Sequence, residues 1–127
     1  MATLMFMGRF ASKVTEGTKP HTIRPKRKRR IKVGDALSLR KWSGTAYRST
    51  QIVLRESICV RVSDVMIFKP RNASPSILID GLAQNARAAE VLAVNDGFSS
   101  KAEMLAWFEQ THGLPFRGDL IEWSVDE

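Results

Sequence analysis

The feature that most limits the fold is a long alternation of apolar and polar residues in the middle of the chain. Ile52, Leu54, Ile58, Val60 and Val62 fall on a two-residue period, and 65–68 continues the apolar run. A period of two is the spacing of one face of a β-strand, not of an amphipathic helix. The stretch far exceeds the usual strand of about 5–6 residues. It reads as two strands, or as one bent strand with a bulge. Either way a sheet runs through the core, and the other elements must pack on it.

Those elements can be read on both sides. Residues 2–7 form a short buried strand. Residues 9–16 put Phe10, Ala11 and Val14 on one helical face, and Gly17 is a natural stop. Pro20 and Pro25 force extended geometry on the residues before them, so the segment between them is an extended or looped strand presenting its side chains. Gly34-Asp35 is a turn, and 36–42 alternates as a strand. Beyond the long run, 77–79 is a short strand ended by Asp80-Gly81, and 83–94 is Ala-rich and helical. Ser99 or Ser100 caps a second helix, with Glu103 at capping-box spacing from Ser100. Residues 119–123 close the chain as a strand. This order predicts one α+β domain, 1–127, around a curved or barrel-like sheet flanked by short helices.

A chain of 127 residues suffices for one core, and 43% apolar with 26% charged residues argues against general disorder. No run approaches the roughly 18–20 apolar residues of a membrane span. The apolar start, 1–8, is too short for a signal peptide and lacks a basic leader. The expectation is a cytoplasmic protein without membrane contact. Cys59 has no disulfide partner and lies in an apolar alternation; it reads as a buried core thiol, since a catalytic one would want a basic neighbour. One cysteine and two histidines are too few for structural zinc, and no metal is expected.

Charge is uneven. Residues 1–72 hold 17 Lys or Arg against 4 Asp or Glu; residues 73–127 hold 3 against 9. Two readings follow: the basic part meets a polyanion, or the two parts pack with complementary charge. The run Lys26, Arg27, Lys28, Arg29, Arg30 is either a solvated segment or a loop contacting nucleic-acid phosphates, and the asymmetry favours the second.

The richest segment is Gly17-Thr-Lys19-Pro-His21-Thr22-Ile-Arg24-Pro25. In an extended strand Thr22 and Arg24 share a face, with Lys19 at the turn before them. A cation beside a hydroxyl suits two tasks: binding a phosphate or base edge, or activating a threonine nucleophile with a lysine whose pKa burial has lowered.

Gly-x-Lys-x-x-Thr-x-Arg after a short N-terminal helix resembles the signature of the ASCH domain, a relative of the PUA fold. Ile31-Lys-Val-Gly-Asp-Ala-Leu-Ser-Leu39 resembles the turn and strand that follow it in that family. Ala93-Val-Asn-Asp96-Gly-Phe98, with Glu103, resembles its approach to the C-terminal helix, and 116–123 its closing strand. The likeness spans nearly the whole chain in order. It implies a PUA-like, barrel-like core with a cleft lined by 17–24, acting on RNA or a modified nucleoside without metal or cofactor. One branch is similar to amidohydrolases that deacetylate N4-acetylcytidine, and another to ribonucleases on single-stranded RNA; a non-catalytic RNA-binding module is the third reading. Carried over from the first branch, Lys19 is the base and Thr22 the nucleophile. Asp96 tunes the lysine, standing one methylene shorter than the family's glutamate. Arg24 would steady the oxyanion or hold the base carbonyl. Even with the resemblance, the alternative stays open that Asp96 is a turn or helix-entry residue before Gly97.

His21, inside the motif, is a further candidate for substrate contact. Arg40, Trp42 and Tyr47 surround a basic loop where a ring could stack on a base or wall the cleft. Trp107, Phe108 and Trp123 read as packed, and His112 as a helix-end residue. Lys19→Ala and Thr22→Ala are both expected to abolish turnover while leaving the thermal melt nearly unchanged.

Overall fold

The computed structural model describes residues 1–125. They form a mixed α+β domain with a seven-stranded sheet and three helices. The strands are β1 (Ala2–Met5), β2 (His21–Pro25), β3 (Ala36–Trp42), β4 (Gln51–Phe68), β5 (Ser76–Ile79), β6 (Leu82–Ala83) and β7 (Phe116–Trp123). The helices are α1 (Gly8–Glu16), α2 (Ala86–Asn95) and α3 (Lys101–His112).

The long alternation is one strand, β4. Its first part pairs with β3, and its register slips against β7 between Cys59 and Arg61. From there Cys59, Ser63, Val65 and Ile67 point inward and are buried. Ile58 and Val60 face outward, about half exposed. A strand this long serves two neighbours in succession, β3 along one half and β7 along the other. Residues 65–68 pair with β5 on the opposite edge from β7.

The sheet does not close into a barrel, contrary to the barrel-like expectation. From β1 it runs through β3 and β4 to β7 and β2, and no backbone pairing joins β2 back to β1. Two side chains cross that gap: Arg24 donates through Nη2 to the Met5 carbonyl, and Arg27 through Nη1 to the Thr3 carbonyl at 3.5 Å. Arginine forks stand where a closing ladder would.

Two apolar clusters fill the domain. One gathers Ile23, Val65, Ile67, Phe98, Met104 and Phe108 under α2 and α3; the other holds Leu4, Phe6, Val14, Leu37, Leu39 and Trp123 inside β1, β3 and α1. Leu120 belongs to the first and Ile121 to the second, so β7 separates them by strand alternation. Capping is local: Gly17 ends α1 with φ +83°, and the Ser100 hydroxyl accepts from the Glu103 N–H at 3.1 Å.

Most ion pairs among the described residues join the basic first part of the chain to the acidic second part; Lys26–Asp64 and Arg117–Asp64 do not. Those that do include Arg9–Glu103, Lys19–Asp96, Lys26–Asp119, Arg30–Asp119 and Arg61–Glu122. The charge asymmetry is thus used in part to hold the two portions together.

Candidate functional site

The segment after α1 is fixed at both ends. The Lys19 N–H donates to the Lys13 carbonyl, and the Trp123 N–H donates to the Pro20 carbonyl as β2 begins. β2 then pairs only with β7, Thr22 lying opposite Ile121 and Arg24 opposite Asp119. Opposite this segment, α2 ends at Asp96, and Gly97 turns the chain with φ +101°. A side chain at Gly97 would be strained by that φ, and its Cβ would lie 2.7 Å from the Phe10 ring. The close turn brings Asp96 against Lys19.

Lys19 is only 2% exposed. Its Nζ donates to the Asp96 Oδ1 at 2.7 Å and to the Asp96 carbonyl at 2.6 Å. The same Oδ1 lies 3.0 Å from His21 Nδ1. The ammonium also faces the rings of Phe10 and Phe6, at 5.2 and 5.7 Å from their centroids. Burial pulls the Lys19 pKa below its ordinary value; Asp96 opposes this, and Arg24 and Lys13 add to it.

Arg24 holds the other side. Its Nε donates to Thr22 Oγ1 at 3.0 Å, and its guanidinium lies 4.8 Å from the Phe6 ring centroid. Burial brings Arg24 down to about 10, against the pull of Asp96 and with a push from Arg27. Because Thr22 Oγ1 accepts from Arg24, its own proton is free to be donated. Lys19 bonds to Asp96 and not to Thr22 among the described residues.

Lys19, Thr22, Arg24 and Asp96 line one cavity of about 240 Å³. Phe6, Phe10, Phe98 and Trp107 form its apolar walls, and Thr111 and His112 of α3 complete the lining. That is slightly below the roughly 300–1,000 Å³ of drug-sized ligand pockets, a size for one small ring system. The chemistry at its polar end comprises an ammonium, a carboxylate, a guanidinium and a hydroxyl.

Compared with known protein families, curated proteins and solved structures, the chain matches none.

Other expected site residues fall elsewhere. His21 touches Asp96 from outside the lining. Arg40 points away: Nε donates to Ser38 Oγ at 2.7 Å and Nη1 to Gln51 Oε1 at 3.1 Å. Trp42 and Tyr47 pack together at 5.1 Å between ring centroids, with Tyr47 88% exposed. Trp42 lines a separate depression that shares Met5, Phe6 and Met7 with the cavity, so neither ring walls the cavity itself. Sequence reading missed Phe6, Phe98, Trp107 and His112 as lining. In the sequence Phe6 and Trp107 read as packed, Phe98 as part of a turn and His112 as a helix end; nothing in a local pattern marks which of them borders a void. Among the described residues no group of three or more His, Cys, Asp or Glu side chains is placed to hold a metal ion. Among the same residues no helix is long and apolar enough to cross a membrane.

The basic run is divided. Lys26 bonds to Asp119 at 2.6 Å and Asp64 at 2.7 Å, and Arg30 bonds to Asp119 at 2.8 Å. Arg27, Lys28 and Arg29 are exposed and make no ion pair among the described residues. Partial burial works against the Lys26 charge, but hydrogen bonds to Asp119 and Asp64 raise its pKa; the bond from Lys26 holds the Asp64 carboxyl below its ordinary value. Asp64 therefore contributes stability above its unfolded pKa, lost as pH falls through the lower folded one. Lys26 contributes below its unfolded pKa, lost as pH rises through the higher folded one. In urea melts across pH, the gap between wild type and Lys26→Met is expected to be widest in the neutral range, about 1 kcal/mol for so exposed a lysine with Arg30 still on Asp119, and to close at both extremes. A gap independent of pH would show that the packing of the lysine stem, not its charge, matters.

Proposed function

We propose that the chain is a PUA-like ASCH domain whose cavity takes one pyrimidine nucleoside and hydrolyses an amide on its base, as in N4-acetylcytidine. The observation that carries this reading is the meeting of Lys19, Asp96, Thr22 and Arg24 in one aromatic-walled cavity of single-base size. The four motif positions supply a hydroxyl nucleophile, a desolvated amine, its carboxylate partner and an oxyanion donor without requiring a metal.

In this mechanism the neutral Lys19 amine takes the Thr22 proton as Oγ1 attacks the acetyl carbonyl carbon. The Arg24 guanidinium, whose Nε donates to Oγ1, would stabilise the neighbouring acetyl carbonyl oxygen as it becomes negative. The C–N bond breaks, the proton passes from Lys19 to the leaving amine, and cytidine departs. Water then hydrolyses the threonyl ester, releasing acetate and restoring the hydroxyl. Burial and the neighbouring cations lower the Lys19 pKa and bring the neutral amine within reach, against the pull of Asp96, which also orients it. Stacking against Trp107 and the phenylalanines would hold the pyrimidine ring.

A second reading has its own support. Lys19 is bonded to Asp96 rather than Thr22, which suits a site that binds a nucleoside without turning it over. Incubation with N4-acetylcytidine separates the two readings, and labelled single-stranded RNA tests the ribonuclease alternative. Release of cytidine and acetate is expected from wild type, loss of turnover from Thr22→Val, and partial retention from Thr22→Ser. Binding without product, with Thr22→Val weakening affinity by about one hydrogen bond, roughly 0.5–1.5 kcal/mol, would overturn the hydrolase in favour of the binding module. Shortened RNA would favour the nuclease.

A further inference from the structure

We propose that a groove at the start of β1 binds the phosphodiester backbone of single-stranded RNA, gripped by Arg27, Arg29 and Lys32. The groove measures about 740 Å³ and runs beside Met1, Ala2 and Thr3. Its one acidic lining residue is Asp35, whose Oδ2 already accepts the Lys32 backbone N–H at 2.9 Å. Arg27, Arg29 and Lys32 are exposed and form no ion pair among the described residues. This separates them from Lys26 and Arg30, whose charges are held by Asp119, a carboxylate only 4% exposed. Pulling either of those cations onto a phosphate would weaken the pairing of a buried anion. Arg30 also borders the groove but is held by Asp119, and Lys28 lies off it; Arg27, Arg29 and Lys32 are the groove's cations without an ion pair among the described residues.

The groove also leads to the cavity. Thr3 borders the groove and Met5 borders the cavity, both on β1. The whole of β1 is only about 10 Å long, a reach of a nucleotide or two. Arg24 and Arg27 cross the gap between β1 and β2 at Met5 and Thr3, so cationic side chains extend from one site to the other. A strand lying in the groove could present a neighbouring base to the cavity only if that base were unpaired. The preference for a single strand thus rests on reading the cavity as a nucleoside site; the backbone contact does not.

The test is the salt dependence of binding of a short labelled single-stranded RNA. For the triple variant Arg27→Ser, Arg29→Ser, Lys32→Ser, the slope of log affinity against log salt is expected to flatten by about 2, at roughly 0.7 per lost contact. Affinity at low salt is expected to fall about tenfold or more. Arg29→Glu, a single change at an exposed position, is expected to weaken binding without moving the melt. The pair Lys26→Ser, Arg30→Ser is expected to lower the melt and leave the slope close to wild type. An unchanged slope in the triple variant, or loss of binding confined to the Lys26 and Arg30 pair, would overturn the groove. Duplex RNA bound as tightly as the single strand would overturn the single-strand assignment. None of these readouts needs turnover, so failure of the hydrolase reading leaves the groove standing.

Discussion

Asp96→Ala is expected to destabilise the domain by about 3–5 kcal/mol, the usual cost of removing one partner from a buried ion pair. The reason is the ammonium it leaves behind. Lys19 is 2% exposed, both hydrogen bonds of its ammonium among the described residues go to Asp96, and the rings of Phe6 and Phe10 face it. The backbone carbonyl of residue 96 would survive the change, and the faces of Phe6 and Phe10 would offset part of the loss. Lys19→Met should also cost stability, because Asp96 would then keep only His21. Replacing both, as Lys19→Met with Asp96→Leu, should recover most of the loss, since well-packed apolar groups often match a buried pair in stability. Urea midpoints of the three variants form the cycle. Additive single and double effects would show that the pair is not coupled. This revises the expectation that Lys19→Ala leaves the melt nearly unchanged: a lysine buried deeply enough to be a useful base is also a structural residue. Thr22, whose hydroxyl makes one hydrogen bond to Arg24, is the cleaner probe of chemistry.

Gly118→Ala should be nearly as damaging, from the opposite side of the site. Gly118 sits on β7 opposite Pro25 of β2 and Val65 of β4. A Cβ there would be driven into the Arg24 carbonyl and would lie 2.8 Å from the Phe116 ring. A carbonyl in a ladder cannot swing away as a side chain can, so β2 itself must move. Overpacking typically costs about 1–3 kcal/mol, and backbone contact places this change at or above the upper end. Hydrogen exchange should show lost protection in β2 and β7 before the rest of the sheet. Gly8→Ala is the control, because a Cβ there meets nothing within 4 Å and the position opens α1. Equal melts for the two variants would mean that the β2–β7 ladder is looser than described.

Much of this was legible because the signals were local. The two prolines around His21-Thr22-Ile23-Arg24 imposed an extended segment, and β2 occupies it. Gly17 as a stop and Ser100 with Glu103 as a cap rest on chemistry within a few residues, and both appear as expected. The strand at 36–42 was read with its observed bounds. Lys19, Thr22, Arg24 and Asp96 do line one cavity. What escaped was long-range. Cys59 reads as buried and is, but nothing local says that Ile58 and Val60 on either side of it face outward, because the slip that accompanies this is a relation between β4 and β7. Likewise Lys26 and Arg30 look no different in sequence from Arg27 and Arg29; only the placement of Asp119 across the sheet sorts bound cations from free ones. The open gap between β1 and β2 is also a property of the whole sheet, which no single strand reveals.

That β2 has β7 as its only strand partner among the described residues also bears on how the domain can be assembled. During synthesis the segment bearing Lys19, Thr22 and Arg24 emerges early, with its prolines, its cations and an unpaired edge. It must wait for residues 116–123 before it has a ladder to join. Contacts between such distant stretches of chain slow folding, because the intervening loop has to be closed before any of them forms. The β3–β4 hairpin has its partners close along the chain, whereas the site needs strands nearly a hundred residues apart.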